Sequence, residues 1–360
     1  MAGSPSIMCP GTGAAATVPR VRRVLVSLIC AALLAPAAAL AVEPPVEVSL
    51  NWVGDIAFSE RQGLPPGGPS RVLRKVRKYL EGADITTGNL EGTLGHGGPS
   101  KCSGGGSNCF AFQAPASYAR ALARVGFDLF NLANNHSRDF GVSGLRQTLR
   151  ALAAAGLRHA GLVNETKFVT VAGQRVAFLG FAPYPWASPL TDIPAARRQI
   201  ASAARKAEIV VVFIHAGAEG PGATHTPHGT EFAFGENRGA ARRFAHAAVT
   251  AGADAVLGSG PHVLRGMECY RRRVIAYSLG NFVGYRTLST GGALSLSGVL
   301  RVRMGVEGDL LGGRLFRVRL APPGVPQPGG GSIGLVRSLS RSDFGRRACR
   351  ISRSGEISLP

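Results

Sequence analysis

The chain predicts an α/β fold, and three observations carry that expectation. Strand-like and helix-like segments alternate along residues 46–290. Five apolar segments each run into a ligand-type side chain at the same, carboxyl end, where open α/β sheets gather their ligands. The length, 360 residues, suits one large α/β domain with additions.

The elements follow in order. A first strand, Val46–Val53, runs into Gly54-Asp55. Ser70–Leu80 reads as a helix, with Val72, Leu73, Val76, Tyr79 and Leu80 on one face and Arg and Lys on the other. A short strand near Ile85 leads into Gly88-Asn-Leu-Glu91, and Ala116–Val125 is the next helix. The apolar run Phe127–Leu132 opens onto Asn131-Leu-Ala-Asn-Asn-His136, followed by a helix over Gly141–Ala154. Val169–Val171 and Arg175–Phe181 form a hairpin around Ala172-Gly173-Gln174, and a helix covers Asp192–Lys206. The strand Ile209–Ile214 ends in His215, and a helix follows at Asn237–Ala251. The strand Ala255–Leu257 runs into Gly258-Ser-Gly-Pro-His262. A second hairpin pairs Met267–Tyr270 with Val274–Tyr277 across Arg271-Arg272-Arg273, a solvated turn. Long glycine-rich loops fall at Gly63–Pro69, Gly95–Asn108 and Ala216–Glu236, lengths typical of functional or mobile segments. The last loop, with His225, His228, Glu231 and Glu236, reads as a solvated lid, with substrate contact the alternative. Residues 291–320 read as a C-terminal β extension, from the strands Ala293–Met304 and Gly313–Leu320. Residues 321–360 read as a Pro/Gly linker and basic tail.

Residues 1–41 stand apart. Arg20, Arg22 and Arg23 precede the apolar run Val24–Leu40, which closes on Ala39-Leu40-Ala41. A basic segment, an apolar segment and a small-x-small site form a secretory signal peptide, so an exported protein of the periplasm or cell envelope is expected. An uncleaved membrane anchor is the alternative, since the run nears the roughly 18 residues a span requires. The net charge is +20; cleavage after Ala41 removes three arginines and no acids, leaving +17. Such a charge favours attraction to polyanions or to an anionic membrane surface. Only five of the 41 basic residues are lysines, a bias that genome composition alone also produces. No nucleic-acid motif accompanies the charge, so DNA and RNA are not expected partners.

Cys102, Cys109, Cys269 and Cys349 remain beyond the leader, an even number that suits two disulfides in an exported protein. Cys102 and Cys109 flank a Ser/Gly-rich segment and can close a small loop, leaving Cys269 and Cys349 to pin the tail. Their spacing fits neither a zinc knuckle nor a redox Cys-x-x-Cys.

The strand ends collect a mixed donor set. Asp55 and Glu91 offer carboxylates, Asn89, Asn134 and Asn135 amide oxygens, and His136, His215 and His262 imidazoles. Mixed oxygen and nitrogen ligation suits Zn²⁺, Mn²⁺ or Fe. Two such ions about 4 Å apart clamp a phosphoryl group and activate a water. Asp55, Glu91, Asn134, Asn135, His215 and His262 are the expected ligands of one or two ions. His136 is the expected proton donor to a leaving oxygen. Asn281, in Ser278-Leu-Gly-Asn281, is either a further site residue or part of a structural turn. The blander alternatives are an Asx-turn network at Asn134–His136 and a satisfied core histidine at His215. His96, His159 and His246 read as ordinary surface or helix residues.

Gly54-Asp55, Gly88-Asn-Leu-Glu91, Ala133-Asn-Asn-His136, His215-Ala-Gly217, Gly258-Ser-Gly-Pro-His262 and Tyr277-Ser-Leu-Gly-Asn-Phe282 resemble, in this order, the bacterial CapA-like family of capsule and poly-γ-glutamate synthesis proteins. Asp139, Gly141, Gly252-Ala-Asp254, Glu268 and Leu339-Ser-Arg-Ser-Asp-Phe-Gly345 fit the same pattern. The resemblance implies a metallo-dependent phosphatase-like, four-layer α/β/β/α sandwich of the calcineurin-like type. It also implies a cell-envelope role tied to an anionic polymer such as poly-γ-glutamate or another capsule precursor. Two departures stand out: Ala216 replaces a usual aromatic, and Ser259 stands where many members carry histidine. Serine is a weaker ligand for a borderline metal, so one metal position is expected to be weakened or empty.

Overall fold

The computed structural model describes residues 47–105 and 109–360, and the expected signal peptide lies outside them. Two β-sheets form the centre. The first has ten strands: β1 (Glu47–Ile56), β2 (Ile85–Leu90), β5 (Leu129–Asn131), β6 (Arg158–Ala160), β16 (Asn281–Val283), β17 (Leu296–Gly305), β18 (Leu310–Ala321), β19 (Val325–Pro328), β20 (Arg350–Ile351) and β21 (Glu356–Ser358). The second has seven: β7 (Lys167–Val171), β8 (Gln174–Ala182), β9 (Ser188–Pro189), β10 (Ile209–His215), β13 (Ala255–Ser259), β14 (Met267–Tyr270) and β15 (Arg273–Ala276). Two small pairs complete the set, β3 (Thr93–Leu94) with β4 (Gln113–Ala114), and β11 (Glu231–Ala233) with β12 (Glu236–Gly239).

The sheets face each other across a core of Val48, Leu50, Trp52, Phe178, Val211, Phe213, Leu300 and Val302. Trp52 of the first sheet stacks on Phe213 of the second, with ring centroids 4.8 Å apart, and its indole N–H donates to the Gly258 carbonyl at 3.1 Å. Aromatic pairs of this kind add about 1 kcal/mol beyond area burial, and this one ties β1 to β10 just below the strand ends.

Helices α1 (Gly68–Val72), α2 (Arg77–Leu80), α3 (Ser117–Arg124) and α4 (Gly141–Ala154) cover the outer face of the first sheet. Helices α5 (Ile193–Ala204) and α6 (Ala241–Thr250) cover the second. The order of layers is therefore α/β/β/α. The longer helices bury stripes at three- and four-residue spacing, such as Leu145, Thr148, Ala151 and Leu152 in α4. Asp192 caps α5 by accepting the Ala195 N–H at 2.9 Å.

Three expectations from the sequence change. The single helix over Ser70–Leu80 is two short ones, because Arg74, Val76 and Tyr79 donate to carbonyls three residues back rather than four. The tighter turns still bury Val72, Leu73, Val76 and Leu80. The helix over Asn237–Ala251 begins later, since the Asn237 side chain accepts the Gly239 N–H at 2.9 Å and Glu236–Gly239 pairs as β12.

The third change concerns the C-terminal third. Residues 291–320 are not an appendage: β17 runs antiparallel along β1 from Glu47↔Gly305 to Val53↔Val299, near the middle of the sheet. The expected linker carries β19, whose prolines are tolerated because it lies beside β18 alone, as an edge. The expected tail folds into α7 (Ser332–Phe344) and the β20–β21 pair. Cys269–Cys349 ties this segment to β14, and Cys102–Cys109 closes the small loop. No described helix is long and apolar enough to cross a membrane.

Candidate metal centre

Parallel pairing brings the polar strand ends together. Register sets Asp55 of β1 beside Asn89 of β2 and beside Asn281 of β16. It sets Asn89 beside Asn131 of β5, and His215 of β10 beside Ser259 of β13. Gly54 is the hinge of this convergence, since a Cβ there would collide with the Gly280 carbonyl oxygen.

Asp55, Glu91 and His215 form the centre. One donor atom from each lies within 4.8 Å of the others, and all three residues are buried. Both Glu91 oxygens and His215 Nε2 are buried without a hydrogen-bond partner, and Asp55 Oδ2 faces only His262 Nδ1, at 3.1 Å. Buried polar atoms in native folds are almost always satisfied, so three orphans converging beside Asp55 Oδ2 make a group that could hold a cation. Burial, with the Asp55 carboxylate adding to it, pushes Glu91 well above the usual carboxylate range. Burial, then the Arg238 and His262 charges, holds His215 well below its usual value, so its imidazole is neutral and keeps a lone pair. His215 Nε2 lies 3.7 Å from Glu91 Oε1. Repelling carboxylates beside a neutral imidazole are an arrangement that a divalent metal neutralises and completes, and the residues fit such an ion.

A polar shell holds these three in place. The Asn89 amide donates to Asp55 Oδ1 at 2.9 Å and lies 3.4 Å from His215 Nδ1. Its oxygen accepts from Asn131 at 3.0 Å and Asn134 at 3.1 Å. Ser259 Oγ lies 3.2 Å from His215 Nδ1. His262 adopts a left-handed backbone with φ of 60°, which places Nδ1 2.8 Å from Asn281 Oδ1 and 3.1 Å from Asp55 Oδ2. Burial would lower the His262 pKa, but the Glu91, Asp55 and Glu219 carboxylates outweigh it and push it up to about 10.

The loop after β5 divides its expected roles. The Asn134 amide donates to Asn89 and to the Leu90 carbonyl, while its oxygen accepts from the His136 N–H and Ser137 Oγ. Its hydrogen-bonding capacity is spent on holding the loop, as in an Asx turn, rather than turned to the three central donors. Asn135 instead presents a buried, unpartnered Oδ1 and lines a cavity that meets the centre's shell at His262 and Asn281. His136 stacks on Phe112, and its Nδ1 lies 2.7 Å from Asp139 Oδ2. Burial, partly offset by Asp139, lowers the His136 pKa.

The cavity has a volume of about 970 Å³ and brings in residues that the sequence did not single out: Lys101, Tyr184, Trp186, Glu219 and Arg238. Lys101 Nζ lies 2.6 Å from Asp139 Oδ1, and Arg238 joins Glu219 at 2.5 Å and Glu236 at 3.0 Å. The one available signal was β8, which ends at Ala182 and runs into Tyr184 and Trp186, a sixth strand end beside the other five. The loop after β10 is not a free lid. Arg265, fully buried, binds Glu231 through both guanidinium nitrogens, and Asp343 of α7 holds His225 and the Thr226 N–H.

Residues 49–286 match the family model described as the bacterial capsule synthesis protein PGA_cap. The chain belongs to this family. It is 30% identical over 254 residues to the capsule biosynthesis protein CapA of Bacillus anthracis, covering 66% of this chain and 60% of that protein. It is 28% identical over 259 residues to the PGA biosynthesis protein CapA of Bacillus subtilis, covering 66% of this chain and 63% of that protein. The PGA_cap chain thus spans less than two thirds of either relative's length. A solved structure, the 5′-nucleotidase precursor from Thermus thermophilus, aligns with 83% of this chain and 59% of its own, at a TM-score of 0.44 and 14% identity.

Proposed function

We propose that this PGA_cap protein works outside the cytoplasm, at the cell envelope, in making or exporting an anionic polymer of the poly-γ-glutamate type. We further propose that its strand-end cluster is a metal-dependent hydrolytic site of the phosphoester class. The observation that carries the second part is the convergence of buried donor atoms from Asp55, Glu91 and His215, those of Glu91 and of His215 Nε2 unpartnered. These residues would hold a divalent ion, with Asn135, and His262 once it has given up its proton, completing the donor set for one or two ions. The mixture of carboxylate, amide and imidazole suits Mn, Zn or Fe. When bound, such an ion supplies Lewis acidity toward a phosphoryl or acyl oxygen.

The other roles belong to the chain. His136, held at Nδ1 by Asp139, keeps Nε2 as the free nitrogen of a ring that lines the cavity, suited to moving a proton at a leaving oxygen. The buried Asn89–Asn131–Asn134 relay fixes the orientation of Asp55.

A second reading, a non-catalytic factor that binds and guides the polyanion, is favoured by the net charge, +17 once the expected leader is removed, and by Ser259. Metal analysis of the chain purified without chelator or His-tag separates the two. About one to two transition metals per chain, lost in Asp55→Ala, supports the hydrolytic reading. A chain that holds no metal and takes none up on titration refutes it and leaves the polyanion-binding reading.

A further inference from the structure

The mouth of the cavity is apolar in a way that an anionic head group does not require. Phe110 and Phe234 line it while remaining 52% and 74% exposed. Phe234 lies in the turn of the β11–β12 hairpin with φ of 51°, a left-handed conformation that bulky side chains avoid. Glycine or asparagine would relieve that backbone, and an exposed ring adds little to the fold, so the position is built for contact with something outside the chain. Leu288, Leu294 and the stacked pair Tyr184–Trp186 extend the apolar lining inward.

The charges of the cavity point the same way. Its cations, Lys101, Arg238 and the protonated His262, are already paired with Asp139, Glu219, Glu236 and Asp55. A chain carrying a carboxylate on every repeat would bring uncompensated charge against phenyl and leucine side chains, which is costly. A ligand with one anionic head and a long apolar tail meets no such penalty. The volume, about 970 Å³, is at the upper end for pockets that enclose a whole organic molecule rather than a lone anion.

We propose that the cavity takes a single amphiphilic phosphoester, with its phosphoryl group at the Asp55–Glu91–His215 centre and its apolar chain leaving between Phe110 and Phe234. The placement of the head rests on the hydrolytic reading; the placement of the tail rests on the rim alone. Polymer carboxylates would then find their partners elsewhere on the basic surface.

Calorimetric binding of methyl, butyl and octyl phosphate to the metal-loaded protein, below micellar concentrations, tests this. Affinity should rise about two- to fourfold per methylene. The rise should flatten in Phe110→Ser and in Phe234→Asn, a residue that accepts the left-handed turn, while methyl phosphate binds all three proteins equally. A flat dependence in the wild type with methyl phosphate bound, or an unchanged slope in both variants, overturns the proposed tail site and leaves the hydrolytic reading standing. Failure of methyl phosphate to bind overturns both. A flat slope together with binding to phosphatidylcholine vesicles that both variants lose would assign the phenyl rings to a lipid surface, and would likewise overturn the ligand.

Discussion

Replacing Arg265 by methionine should destabilise the fold by about 3–5 kcal/mol, the cost of stranding one member of a buried ion pair. The structure sets that scale. Arg265 is fully buried; its Nη1 donates to Glu231 Oε1 at 2.9 Å, and its Nη2 donates to Oε2 at 2.6 Å. Its Nε also donates to the Ala223 carbonyl at 2.8 Å, so one guanidinium fastens two points of the loop after β10. Methionine preserves much of the stem's volume but leaves Glu231 with the Ala218 N–H, at 3.0 Å, as its remaining partner. Urea unfolding of the wild type, Arg265→Met, Glu231→Leu and the double variant measures the effect. Because the double variant removes both charges, it should recover at least about 2 kcal/mol of the single loss. Proteolysis within residues 216–236 should be faster in Arg265→Met. A single-variant cost below about 1 kcal/mol, or a double variant no more stable than Arg265→Met, would refute the reasoning.

Other outcomes follow from the same geometry. Burial, working against the Val210 N–H and Arg273, pushes the Asp254 carboxyl up to about 6, from an ordinary value of 3.8. The folded state therefore binds this proton more tightly than the unfolded one. Its contribution is fully present below about pH 4 and is lost as pH rises through 6. Wild type should gain on the order of 2–3 kcal/mol over Asp254→Asn between pH 7.5 and 4, read from urea midpoints; a pH-independent difference would contradict this. Ser259→Ala removes a partner of His215 Nδ1 and should weaken metal affinity about tenfold without changing the far-ultraviolet circular dichroism. Losing Cys269–Cys349, with its sequence separation of 80, should lower stability by about 2–4 kcal/mol. Losing Cys102–Cys109, with a separation of 7, should cost less, and calorimetric melting of the two Cys→Ser pairs ranks them.

Most of the centre was legible because parallel pairing keeps strand ends level. An apolar run followed by Asp55, Glu91, His215 or His262 is enough to place each donor at one edge, whatever the loops between them do. Residue type alone could not orient a side chain. Asn134 and Asn135 are adjacent and chemically identical, yet one amide is consumed by Asn89, Leu90, His136 and Ser137 while the other keeps an unpartnered oxygen at the cavity. Lys101, Glu219 and Arg238 were missed because they stand on loops and hairpins, where no periodicity marks a direction. The C-terminal segment was misread because prolines and glycines suggest a connector, and only the pairing of β19 with β18 shows that they lie in a strand.

The sequence by itself determined the α/β class, the alternation of elements and the chemistry of the donor set. Each of these depends on local pattern: apolar periodicity, turn residues, and polar groups at strand ends. Tertiary structure decided which donors meet, which amides hold the loop, and where the cavity finds its aromatic mouth. Those outcomes depend on register and close packing between segments as far apart as Trp52 and Gly258, a relation that no local window contains.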